Sequence, residues 1–113
     1  MMDKLNEAED SLIPSPDKKA AFSVIKSEHA SKYLSVLCRH FSRKVDATWD
    51  DYQGTITFSI GVTSIQVNQA GNELSIVCQS ENKALLEEQK SVINRHVALF
   101  SRRESINLEW KDT

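Results

Sequence analysis

Glycine is scarce in this chain of 113 residues. Its three glycines, at 54, 61 and 71, are too scattered to form the Gly-rich loop that cradles a nucleotide phosphate, so neither the P-loop nor the dinucleotide-binding pattern is present. Each glycine falls where a hairpin turn is expected. Prolines are confined to Pro14 and Pro16. The two cysteines, Cys38 and Cys78, lie far apart with no CxxC pairing, one in an expected helix and one in an expected strand, so both read as reduced core thiols. No apolar run is long enough to span a bilayer, and the acidic start lacks the basic and apolar regions of a signal peptide, so a cytoplasmic location is the expectation.

What is present is an ordinary globular composition, 40% apolar and 27% charged, on a chain of the size of one domain. The net charge of −2 conceals a division. Residues 1–17 carry Asp3, Glu7, Glu9, Asp10 and Asp17 against Lys4 and end in a proline-bearing stretch, which reads as an acidic, disordered tail. The remainder, residues 18–113, holds 13 basic and 11 acidic residues and is read as a single domain. Within it, Lys26, Lys32, Arg39, Arg43 and Lys44 face Glu28 alone, a basic concentration suited to a solvated helix face or an anionic partner.

Periodicity supplies the elements. Residues 20–25 form a short strand with apolar groups on both sides. Ser27 is the expected helix N-cap, with Glu28 in the first turn. At 100° per residue, Ala30, Tyr33, Leu34, Leu37 and Phe41 make one stripe, opposite Ser31, Lys32, Ser35, Arg39 and Ser42. The pattern then changes to period two. Strands are expected over 45–49, 55–60, 63–67 and 73–78, followed by a second helix capped by Ser80 or Asn82 and running to about Ser101. Ile106, Leu108 and Trp110 then alternate with polar residues as a last strand. The expected fold is α+β, a two-layer sandwich of order β-α-β-β-β-β-α-β, with a mainly antiparallel sheet and both helices on one face. The other face should be rich in Thr, Ser, Gln, Asn and Glu, open to water or used for binding.

Candidate site residues are few. His96 has Val92, Ile93, Leu99 and Phe100 at its helical neighbour positions, with Gln89 one heptad earlier, so its imidazole requires a hydrogen-bond partner. His29, Tyr33, Val36 and His40 follow one edge of the first helix. His29 and His40 are roughly 16 Å apart along it, too far to share a metal ion. Cys38 and His40 point away from each other. Helices packed roughly 8–10 Å apart leave one pairing open, His40 with His96. The candidate polar cluster is therefore His40, His96, Tyr33 and Gln89. Arg39, Arg43 and Lys44, with Arg102 and Arg103 at the end of the second helix, are the candidates for binding an anion or partner.

The run His29-Ala-Ser-Lys-Tyr-Leu-x-x-Leu-Cys-Arg-His-Phe-Ser-Arg-Lys44, followed by half-buried strands, then Val92-x-x-x-His96-x-x-x-Phe100 and Trp110, resembles the bacterial domain of unknown function 2218 (DUF2218). The resemblance covers about residues 20 to 111. It implies no established activity. It does imply, through relatives joined to flavin-dependent siderophore-interacting reductases, a place near iron uptake and such a reductase as partner. Two functions remain. One is a non-enzymatic accessory or interaction module without a cofactor, monomeric or homodimeric, with no nucleic-acid or membrane partner. The alternative is a small metal- or cofactor-binding protein, including an enzyme, with its site near His40 and His96.

Overall fold

The computed structural model describes residues 19–101, 104 and 106–112, so the acidic tail, Arg102 and Arg103 lie outside the described residues. The elements are β1 (Lys19–Lys26), α1 (Ala30–Phe41), β2 (Asp46–Trp49), β3 (Gln53–Phe58), β4 (Gly61–Val67), β5 (Glu73–Ser80), α2 (Lys83–Phe100) and β6 (Lys111–Asp112). The expected order holds. The six strands form one open antiparallel sheet in the order β2-β3-β4-β5-β1-β6. None of the described helices is long and apolar enough to cross a membrane.

Alternation places Ile56, Ile65, Leu74, Ile76 and Cys78 on the covered face. Leu34, Leu37, Cys38 and Phe41 of α1, with Leu86, Ile93 and Val97 of α2, close the core over that face. α1 lies across β2 to β5, and α2 across β5, β1 and β4. Asn82 is the N-cap of α2, its side-chain oxygen accepting from the Leu85 amide at 2.9 Å.

Several expectations change. Ser27 is not the N-cap of α1: His29 occupies that position without a side-chain cap, and Ser27 Oγ accepts from the His29 amide in the turn before it. Glu28 also lies ahead of the helix. β1 shows no ambiguity, since Ala21, Ser23 and Ile25 are buried while Phe22 and Val24 are exposed. Ala21, Ser23 and Ile25 face the helices, and Phe22 and Val24 face out. With Val62 and Val77 they give the uncovered face an apolar patch on the β1–β5–β4 side, within a face expected to be rich in polar groups. Ile60 belongs to the Ser59-Ile60 turn, because Phe58 pairs with Gly61.

Only Gly71 among the glycines needs its freedom at a turn, with φ at 75°. Gly54 and Gly61 are strand residues. A Cβ on Gly54 would press on Cys38 Sγ beneath α1; one on Gly61 would collide with the Gln79 carbonyl, Ser80 Oγ and Gln89 Oε1. The last strand is shorter than expected, since only Lys111 and Asp112 pair, with Phe22 and Ala21. Ile106, Leu108 and Trp110 instead lay their side chains against the core without pairing, and Trp110 Nε1 donates to Asn94 Oδ1 at 2.9 Å.

Candidate functional site

One edge of α1 stays clear of the sheet because the helix commits Ala30, Leu34, Leu37, Cys38 and Phe41 to the core. That edge carries His29, Tyr33, Val36 and His40, and it faces the last two turns of α2. Between them runs a groove of about 590 Å³, lined by His29, Lys32, Tyr33, Val36, Leu99, Phe100 and Glu104. Its middle is apolar. Leu99 is 55% exposed there, an unusual exposure for a leucine beside Val36 and Phe100.

At one end, Tyr33 Oη donates to Glu104 Oε1 at 2.5 Å, and Ser27 Oγ donates to the same oxygen at 2.8 Å. Glu104 follows α2 and closes the groove from the far side. Burial, then the hydrogen bond and charge of Glu104, push the Tyr33 hydroxyl from 10.0 up to about 12. The Glu104 carboxyl is held below its ordinary value, first by the Tyr33 hydrogen bond and then by that of Ser27.

The two shifts act at opposite ends of the pH scale. A lowered carboxyl stabilises the fold above its ordinary pKa, and that contribution is lost as pH falls through the folded value. A raised phenol stabilises the fold below pH 10, and that contribution is lost between 10 and about 12. Tyr33→Phe is therefore expected to unfold more easily at neutral pH and to lose the wild-type decline above pH 10. Urea unfolding at pH 7, 10 and 11 checks this; an unchanged slope between pH 10 and 11 contradicts it.

At the other end, α1 and α2 bring His40 and His96 together, with ring centroids 4.9 Å apart and planes tilted by 49°. Phe41 packs on His96 at 4.5 Å, and Phe100 stands 5.4 Å from His40. His40 is exposed and His96 half-buried, so the pair lies at the rim of the core and not within it. The hydrogen-bond partner that His96 requires is the Val92 carbonyl of its own helix, 2.7 Å from Nδ1. Desolvation, followed by the charges of His96, Arg43 and Lys44, lowers the His40 pKa and favours the neutral ring.

The other sequence-selected residues separate from this pair. Gln89 is fully buried near the opposite end of α2, where its Nε2 donates to Thr63 Oγ1 at 2.7 Å and its Oε1 accepts from Ser80 Oγ at 2.6 Å. It binds α2 to the sheet and touches neither histidine nor Tyr33. Tyr33 belongs to the Glu104 end of the groove. Arg39, Arg43 and Lys44 are exposed on and just beyond the last turn of α1, and none forms an ion pair among the described residues. Both thiols are buried and pushed up to about 11 by desolvation, which leaves them protonated and poor nucleophiles at neutral pH. Glu104 was missed. It sits outside any periodic element, and no spacing pattern ties it to Tyr33.

The family model of DUF2218, described as uncharacterized protein conserved in bacteria, matches residues 22–111. The NMR structure of PA4090 from Pseudomonas aeruginosa superposes with a TM-score of 0.69 at 19% identity, over 82% of this chain and 95% of that one, a likeness of fold. No curated protein matches the chain.

Proposed function

The chain belongs to the DUF2218 family of uncharacterised bacterial proteins, and from that premise we propose that it is a non-enzymatic accessory module that docks a partner protein in the α1–α2 groove. The observation that carries this reading is the exposed Leu99 beside Val36 and Phe100, an apolar strip between two polar ends. Lys32 lines the groove, Arg39, Arg43 and Lys44 add positive charge on and just beyond the last turn of α1, and α1 itself contains no acidic residue. An acidic segment with apolar side chains matches that combination, the apolar groups filling the strip and the carboxylates meeting the basic rim.

The partner proposed on the family resemblance is a flavin-dependent siderophore-interacting reductase, which would set the module beside iron uptake. Calorimetric titration of the purified reductase from the same genome tests the reading. One-to-one binding is expected, weakened by salt. Leu99→Glu should abolish it and Val62→Thr, on the uncovered sheet face, should leave it unchanged. No binding of the reductase, or equal binding by Leu99→Glu, contradicts the proposal.

A further inference from the structure

The geometry points to a second property of the same helix pair: we propose that His40 and His96 form a two-histidine site for a late first-row divalent metal ion, Cu2+ above all. An imidazole nitrogen bound at roughly 2.0–2.1 Å holds its ring centroid about 3.2 Å from the metal, so two cis imidazoles at about 90–110° have centroids roughly 4.5–5.2 Å apart. The observed separation is 4.9 Å.

The protonation pattern suits ligation. A carbonyl oxygen only accepts, so His96 Nδ1 carries the proton toward Val92 and Nε2 presents its lone pair. That backbone bond is the outer-shell support that metal-binding histidines ordinarily have, fixing both tautomer and ring orientation. Among the described residues the His40 ring packs on Phe41, His96 and Phe100, and neither of its imidazole nitrogens makes a hydrogen bond. Phe41 and Phe100 hold the two rings from the sides, while the exposure of His40 leaves a path for the ion to enter.

The donor count selects the metal. No cluster of three or more His, Cys, Asp or Glu occurs among the described residues, so these supply two ligands, short of a closed four-ligand zinc site. Imidazole donors with the other positions left to water or an incoming ligand follow the Irving–Williams order, which places Cu2+ ahead of Ni2+ and Zn2+. The site therefore presents a bound ion with open positions beside Phe100, the residue that joins the histidine pair to the groove.

The test needs no partner protein. Cu2+ buffered with glycine is titrated calorimetrically into the wild-type chain and into His40→Ala, His96→Ala and His29→Ala, each checked for folding by circular dichroism, with pulsed EPR on the wild-type complex. The expected result is a single equivalent bound, weakened about tenfold or more by His40→Ala and by His96→Ala, unchanged by His29→Ala, and an EPR modulation pattern from two imidazoles. Because His40 is exposed, His40→Ala keeps the fold and the comparison valid. Equal affinity for His40→Ala and wild type, or a single-imidazole spectrum, overturns the proposal.

Discussion

Gly61→Ala is expected to lower the unfolding free energy by about 3 kcal/mol, the upper part of the range for overpacking, and the melting temperature by roughly 12 °C or more. Gly61 opens β4 opposite Phe58, at the point where α2 comes down on the sheet. The added methyl would meet the Gln79 carbonyl oxygen of β5, a backbone atom that moves only with its strand. It would also meet Ser80 Oγ and Gln89 Oε1, which are hydrogen-bonded to each other. The strand or the buried bond must yield. Guanidinium unfolding followed by circular dichroism measures the loss, and a change below about 1 kcal/mol contradicts the packing described here.

Gln89→Ala is expected to cost about 3 kcal/mol by a different route, through a cavity and two buried hydroxyls deprived of their partner. Gln89 is the central member of a chain in which Ser80 donates to it and it donates to Thr63, whose hydroxyl lies 3.7 Å from Cys78 Sγ. All four residues are buried. The two substitutions share Gln89, so they should not add. In the double variant the alanine methyl at position 61 gains the space of the lost amide, and the combined loss should fall short of the sum of the single losses by about 0.5 kcal/mol or more. Full additivity would place Gly61 and Gln89 in separate environments.

The division between what could be read from residues and what could not follows the range of the interactions. The stripe of Ala30, Tyr33, Leu34, Leu37 and Phe41 and the alternation of β3 to β5 are local signals, and both elements and the two-layer fold followed from them. Gly54 and Gly61 look like turn glycines because a turn is the local reason for glycine. Their actual reason is close approach by residues distant in the chain, α1 at Gly54 and both β5 and Gln89 of α2 at Gly61. Alternation of Ile106, Leu108 and Trp110 reports that one side is buried, which a segment can achieve without pairing. Residues 20–25 carry apolar groups on both sides, so alternation within the strand does not say which side turns inward; its place between β5 and β6 under the helices does.

The histidines show the same limit. Helical geometry separated His29 from His40 and allowed His40 to meet His96, and the two rings do pack together. It also put Gln89 on the His96 stripe, yet seven residues are about 10 Å along a helix axis, enough to carry Gln89 to the core-bound end of α2. The groove itself could not be read, because Leu99 and Glu104 become neighbours of Tyr33 only when α2 packs beside α1.

Two surfaces compete for a functional role: the α1–α2 groove and the apolar patch of Phe22, Val24, Val62 and Val77 on the uncovered sheet face. Amide hydrogen exchange of the chain alone and saturated with the proposed partner, a siderophore-interacting reductase, separates them most directly. The account predicts new protection in residues 29–40 and 92–101, with β1, β4 and β5 unchanged. Protection confined to β1, β4 and β5 would contradict it and move the binding surface to the open side of the sheet.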